Sequence, residues 1–575
     1  MYPQSLPAIG KRTTKSGESF ARSLNEQRTN GALSGNVELA VIKCSNDNRA
    51  VTGICANLTF NDQGTISYRL NLAFEDSEYF RSFANGEAFD VSRIIGYIAI
   101  DWEITEKTVL RLNTDVTDDD RPQDLGLINL DGDFSDLPHE TIVSQPWSHY
   151  NSDVWNIGVE LEHRFENEMQ LTAGYSFQDY KRDRYDNQLR RIYTGDDAQP
   201  GDITMRARRR VNRWDYNTLY ADLSGRFATD ALAHNLLLGI DRTIVDRDNN
   251  ETARNVGFVT NVFDPVVIPD PIIETRPEKN AGEEIRDGLY LQDMVEIGDQ
   301  WRALLGLRYD DYQTESSFDG TLQSSYGTDN LTPRFGLVYL PHARQSWYAT
   351  YSESFEPNSP VGSGYLNSGD ILDPTAGEMM EIGTKWEMLE GKLLLTGALF
   401  SIDRAKSPVE EMTGDDLIIV QRGLQRNRGL EAAATGLLSD NLTLTASFTY
   451  LDAEFVEDDD PRIIGNTPAG AGDIALSIWA EYQISEGTLK GLSLQGGWFY
   501  EADRPVDNAN SFDVDAYHRI DVGLKYAMPL GEKGGLTYRL TASNLFDETY
   551  YKADRSTAIS VERPREIRLS AQYTF

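Results

Sequence analysis

No stretch of this 575-residue chain approaches the roughly 18 consecutive apolar residues that a membrane-spanning helix needs, so a helical membrane protein is excluded. Basic residues are scarce. The 54 Lys and Arg stand against 91 Asp and Glu, a formal net charge of −37. Nucleic-acid binding requires clustered cations that displace counterions, and this balance argues against it. Cysteine is nearly absent: Cys44 and Cys55 do not face one another across a predicted turn, neither sits in a CxxC pair, and a disulfide between them is left open. Interdomain linkers rich in Pro, Gly or Ser are missing too, which makes one continuous architecture the simplest assumption. The start, Met1-Tyr2-Pro3-Gln4 through Lys11, Arg12 and Lys15, carries no apolar signal-peptide core. The six histidines are scattered without metal-ligand spacing and no catalytic constellation stands out, so an enzyme is not expected.

What the chain does have is two-residue alternation, one face apolar and the other small or polar. Met169, Leu171, Ala173, Tyr175 and Phe177 oppose Gln170, Thr172, Gly174 and Ser176. Leu442, Leu444, Ala446, Phe448 and Tyr450 oppose Thr443, Thr445, Ser447 and Thr449, and Ile567 to Phe575 repeats the pattern. Each apolar face ends in an aromatic, and Tyr, with 28 copies, is the commonest ring, as suits an interfacial girdle.

A soluble sandwich also alternates, so connector lengths decide the class. Tight links are predicted at Asn61–Gly64, Glu166–Glu168, Ile297–Gln300, Pro341–Arg344, Leu389–Lys392 and Leu438–Asn441. They alternate with long polar connectors at Thr117–Asp153, Lys181–Met205, Asn249–Glu283, Thr314–Thr332, Glu356–Gly377, Val456–Gly472, Ala502–Ala516 and Asp547–Arg563. Short turns at one rim and long loops at the other define a bacterial outer-membrane barrel. The fold expected is therefore all-β, a transmembrane antiparallel barrel of about 22 strands from Val37 onward, with short periplasmic turns and long extracellular loops. Asp416–Leu437 is read as one long strand, because splitting it breaks the parity. The acidic runs Asp118-Asp119-Asp120 and Glu457-Asp458-Asp459-Asp460 are placed in loops as solvated charge. Asp131-Gly132-Asp133 with Asp136 lacks the rest of an EF-hand loop, and Gly362-Ser363-Gly364 lies between strands, not before a helix. Arg111, Arg302, Arg308, Arg539 and Arg568 fall on polar strand faces, where pairing with lumenal carboxylates is expected, since a charge facing lipid costs about 2–4 kcal/mol near the midplane.

Several motifs resemble those of TonB-dependent receptors of the ferric-siderophore branch. They are Tyr351-Ser352-Glu353-Ser354-Phe355-Glu356-Pro357, Leu372-Asp373-Pro374 with Glu378 and Glu381-Ile382-Gly383-Thr384-Lys385, Arg426-Asn427-Arg428-Gly429-Leu430-Glu431, Asn544-Leu545-Phe546-Asp547-Glu548-Thr549-Tyr550-Tyr551, and the closing Arg563-Pro564-Arg565 to Phe575. The resemblance implies a receptor and transporter in the cell outer membrane for a ferric siderophore, energised by TonB, with no covalent cofactor. It implies a monomer in contact with lipid and lipopolysaccharide. Phe575 resembles the signal read by the outer-membrane assembly machinery. Such receptors carry a lumenal plug of well over a hundred residues, whereas residues 1–36 offer at most a plug remnant or a disordered segment before the barrel of 37–575. A plugless passive pore is the alternative. Trp147, Tyr150, Phe355, Tyr365, Tyr500 and Tyr551, in or beside predicted outer loops, are the ligand-binding candidates, since a bulky chelate offers apolar surface and oxygen acceptors. Pro122-Gln123-Asp124-Leu125-Gly126-Leu127 stands where hydroxamate-type receptors cluster aromatics, so ferrichrome is not implied as ligand.

Overall fold

The computed structural model describes residues 36–44, 50–59, 65–128, 137–193, 198–251, 256–275, 280–361, 365–413, 416–531, 534–555 and 558–574. Among them, alternation becomes antiparallel pairing almost throughout. The main sheet holds 24 strands; Thr141–Ile142 and Val256–Asn261 pair only at one rim, which leaves 22 in the wall. The first wall strand, Asn36–Cys44, pairs with Ala50–Thr59 on one side and with the last, Glu566–Thr574, on the other, closing the ring. A closed ring leaves no edge, the condition for strands to cross lipid. Asp416–Ser439 is one strand, preserving the even count.

Register shows which face meets lipid. Leu289 pairs with Tyr309, Tyr309 with Leu331, and Ile382 with Leu399, so one ring of positions carries these side chains outward. Leu305, Met380, Ile382 and Leu399 are 52–62% exposed, and their neighbours on the same face are similar. Apolar surface this continuous marks an interface, and one wrapping a whole barrel marks a bilayer.

The opposite face lines the lumen and is held by charge. Arg308 donates to both oxygens of Asp241, at 2.7 and 3.0 Å, and reaches Asp310 on its own strand. Arg111 bonds Glu160 and Glu162 at 2.7 and 2.9 Å. Arg302 lies 3.4 Å from Glu296 and Arg568 3.1 Å from Glu566. Arg539 departs from the expectation, donating to the amide of Gln572 at 2.8 Å.

The short-turn rim is built as read at Arg164 to Gln170, Ile297 to Trp301, His342 to Gln345 and Ser439 to Leu442. At Leu389–Gly391 a 3-10 turn replaces a simple link. Asn61–Gly64 lies outside the described residues. Two predicted long loops do not exist as such. Thr314–Thr332 is a hairpin of Trp301–Phe318 with Thr321–His342, turned by Asp319-Gly320 at φ 47° and 75°. Positive φ at both positions is the type I′ turn, and Asp-Gly is its sequence signature. Lys181–Met205 is mostly strand, since Gln170–Ile192 and Asp202–Thr229 continue their pairing far beyond the lipid band. Outside hydrocarbon nothing demands an apolar outer face, so alternation fades while the backbone ladder goes on. The acidic run Asp118-Asp119-Asp120 likewise ends a strand, Thr108–Asp120. In the ladder Cys55 stands opposite Glu38, six positions along from Cys44, so the two are not paired across the strand. Asp131–Asp136 and Gly362–Gly364 lie outside the described residues.

Candidate functional site: the outer mouth

The strands Gln170–Ile192 and Asp202–Thr229 form the tallest hairpin of the wall, with 23 and 28 residues. On its lumenal face the register sets Tyr180 opposite Trp214, Arg182 opposite Asn212, Arg184 opposite Arg210, Asp186 opposite Arg208 and Gln188 opposite Arg206. Tyr150, on His149–Arg164, stands opposite Arg184. These positions hold five arginines and one carboxylate in a chain of net charge −37.

The local contacts are specific. The Arg182 guanidinium lies 5.4 Å from the Trp214 ring, which packs 5.4 Å from Tyr180. Arg182 donates from Nη2 to Asn212 at 3.0 Å, a neutral acceptor. Arg206 donates to Gln188, also neutral. Asp186, 2% exposed, lies 3.3 Å from Arg184 and 2.8 Å from Arg210. Burial pushes the Asp186 carboxyl up against the pull of Arg184, and burial lowers Arg184 itself. The outer face of the same hairpin differs. There Arg209 meets Asp183 and Arg213 meets Asp179 at 3.0 Å, pair by pair. Burial would raise Asp183, but the hydrogen bonds from Arg209, with the His149 ring 3.7 Å away, outweigh it and hold the carboxyl well below its usual range.

Loops from separate sectors of the ring meet above this hairpin. Leu127, Ile128 and Val143 pack with Ile203 and Met205 of the hairpin, Val506 and Val514 of 502–516, and Ile559 and Val561 of 544–565, all but inaccessible to solvent. Buried side-chain hydrogen bonds lock the cap, as burying loop backbone requires. Arg81, 1% exposed, binds Asp124 and the carbonyls of His139 and Thr141. Gln123 accepts from Asn187 N at 2.7 Å, and Gln145 accepts from Ile268 N at 2.8 Å while donating to Val266 O at 2.9 Å.

The six aromatic candidates are dispersed. Tyr150 lines the arginine panel, with the Arg184 guanidinium 5.6 Å from its ring. Trp147 belongs to the cap, donating to Ile268 O at 3.1 Å with its ring 4.7 Å from Tyr185. Tyr551 is also a cap residue, 3.0 Å from His139. Tyr365 donates to Glu410 in a different sector. Phe355 and Tyr500 fall on the outward face, Phe355 in line with Tyr351 and Tyr500 stacked 4.8 Å from His518 beside Trp498. Phe575 lies outside the described residues. The arginine panel was missed because 181–205 read as a loop; Arg182 and Arg184, then Arg206, Arg208 and Arg210, recur at period two, the signal that could have found it.

A closed wall with an apolar outer belt, a charged lumen and long loops at one rim is an outer-membrane β-barrel. The sequence profile of the family described as TonB dependent receptor-like, beta-barrel matches residues 101–545, and the chain belongs to that family. It is 26% identical over 532 residues to the metal-pseudopaline receptor CntO of Pseudomonas aeruginosa PAO1, covering 89% of this chain and 72% of that protein. It is 31% identical over 338 residues to the ferrichrome outer membrane transporter/phage receptor of Escherichia coli K12, covering 57% of this chain and 44% of that one. The fold is similar to that of BauA, the ferric preacinetobactin receptor from Acinetobacter baumannii, with a TM-score of 0.84, 19% identity, and 95% of this chain and 80% of that one covered.

Proposed function

We propose that the chain captures a ferric siderophore at its outer mouth and passes it inward across the outer membrane, with energy supplied through TonB. The observation that supports this reading best is the arginine and aromatic panel on the lumenal face at the mouth. A metal chelate presents apolar surface and oxygen acceptors, and guanidinium groups stacked on rings suit both. The relatives named above are receptors or transporters for metal chelates, which favours this reading over a passive pore.

Of the six aromatic candidates, Tyr150 is assigned to ligand contact with the panel. Trp147 and Tyr551 act by holding the cap, and Phe355 and Tyr500 belong to the outer girdle, while Tyr365 stays a peripheral contact. The chain works as a monomer with no covalent cofactor, its outer belt in lipid and lipopolysaccharide, and Phe575 serves the assembly machinery. The test is binding of radioactive ferric siderophores to receptor-deficient Gram-negative cells expressing the chain. Saturable binding above the empty-vector control is expected; no binding of any ferric complex would remove the siderophore reading.

A further inference from the structure

Separate from uptake, we propose that the lipid-facing wall at the short-turn rim carries an ester-hydrolysing site, formed by Thr229, His234 and Asp293, that acts on phospholipids of the periplasmic leaflet. The hydroxyl of Thr229 lies 2.8 Å from His234 Nε2, and Asp293 Oδ2 lies 2.7 Å from Nδ1 of the same ring. With the carboxylate accepting from Nδ1–H, Nε2 is left to accept the hydroxyl proton, the relay that a nucleophilic alcohol needs. Three strands contribute: Thr229 ends one, His234 lies near the start of the next, and Asp293 comes from a third.

Register sets the depth of the group. His234 pairs with Phe227 and Val295, and Asp293 with Leu236 and Leu305, on the face that continues through Leu238, Ile240, Leu289 and Leu291, which are 42–55% exposed. Phe227 stacks 4.7 Å from the imidazole, and Trp301 begins the neighbouring strand at the same rim. Such rings sit where hydrocarbon meets headgroups, the depth of phospholipid ester carbonyls. Thr229 is exposed beside the turn, whereas the side chains of His234 and Asp293 are 15% and 21% exposed. Packing alone would favour an apolar side chain at 293. Instead a carboxylate faces the lipid side, and its Oδ1 is buried with no hydrogen-bond partner among the described residues. At the same rim Thr108 meets His163 Nδ1 at 2.9 Å, with no carboxylate on that ring among the described residues, so the acid is particular to His234.

Thr229 Oγ adds to the ester carbonyl as its proton passes to His234 Nε2. The intermediate collapses, the glycerol oxygen leaves with that proton, and an acyl-threonine remains. Water then gives a proton to Nε2 and its hydroxide to the acyl carbon, releasing the fatty acid while Thr229 regains a proton from the ring. One lipid and one water give one lysolipid and one fatty acid. The turn amides of Asp230 and Ala231, without a backbone acceptor among the described residues, are the donors next along the chain for the oxyanion. Asp293 touches no reacting atom and is a positioning residue, holding the ring in the tautomer the relay uses.

The experiment purifies the full chain from cells lacking their own outer-membrane phospholipase and reconstitutes it in vesicles of phosphatidylethanolamine and phosphatidylglycerol. Fatty acid and lysolipid are followed by mass spectrometry. Release above protein-free vesicles is expected, with a fluorophosphonate adduct on the Thr229 peptide. Thr229→Ala and His234→Gln are expected to return release to background, Thr229→Ser to keep it, and Thr108→Ala to leave it unchanged. Asp293→Asn is expected to lower kcat on the order of 100- to 10,000-fold with KM little changed, a split that loss of packing would not give. Heat-modifiable gel mobility verifies the barrel in each variant, and Thr229, exposed beside its turn, makes little demand on folding. No release by the folded wild-type chain would overturn the proposal, and so would release undiminished by Thr229→Ala or by His234→Gln.

Discussion

The inner wall at the mouth differs from one side to the other. On the side of the tall hairpin, successive lumenal positions hold Tyr150, Arg184 and Arg210 in one row, with Trp214 and Arg182 just below. Across the ring, the corresponding row runs Ser352, Met379, Ile402, Asn427 and Ala453, with the matched pair Arg404–Glu356 at 2.9 Å to one side of it and the Glu381 carboxylate, bonded to Tyr348, to the other. Both sectors obey the same strand geometry and the same lipid constraint outside. The contrast teaches that the lumen is free of the constraint that makes the outer face uniform, so its composition reports function.

That contrast can be broken or sharpened by substitution. The largest effect on stability is expected from Arg308→Ala at the lower margin of the charged side, which leaves Asp241 and Asp310 facing each other without their cation. Equilibrium unfolding in lipid should show a loss of roughly 2–3 kcal/mol. Next comes Gln123→Ala in the cap. It leaves the backbone N–H and C=O of Asn187 short of partners, and about 2 kcal/mol of local stability should go, read as faster limited proteolysis between 121 and 148 with the barrel intact. Gly320→Ala lies at the boundary between the sectors. Its φ of 75° strains any side chain although no atom lies within 4 Å, so a cost of about 1 kcal/mol is expected, visible as faster amide exchange at the tips of the two strands it joins. Ser352→Ala in the neutral sector should change unfolding by less than about 0.5 kcal/mol and leave ferric-chelate binding as it was. A large binding loss there would mean that the charged side is not the operative one.

Much of the wall was legible from residues alone. The faces Met169 to Phe177 and Leu442 to Tyr450 stand outward as alternation requires, and Asp416–Ser439 is a single strand. The mouth was not. Lys181–Met205 and Thr314–Thr332 were read as loops because polar residues on both faces erase the period, although their backbones keep pairing. Phe355 and Tyr500 were read as ligand contacts from nearness to loops, whereas register turns them outward.

Alternation is a property of neighbouring residues, and lipid outside with water inside enforces it on every strand. The sequence by itself therefore determined the barrel, its even strand number and the outward sense of the cleanly alternating apolar faces. Which side chains meet at the mouth depends on cross-strand register above the bilayer and on loops arriving from distant sectors. Arg184 opposite Arg210, and Ile559 against Met205, were decided only by the tertiary structure, because no local period links residues that far apart in the chain.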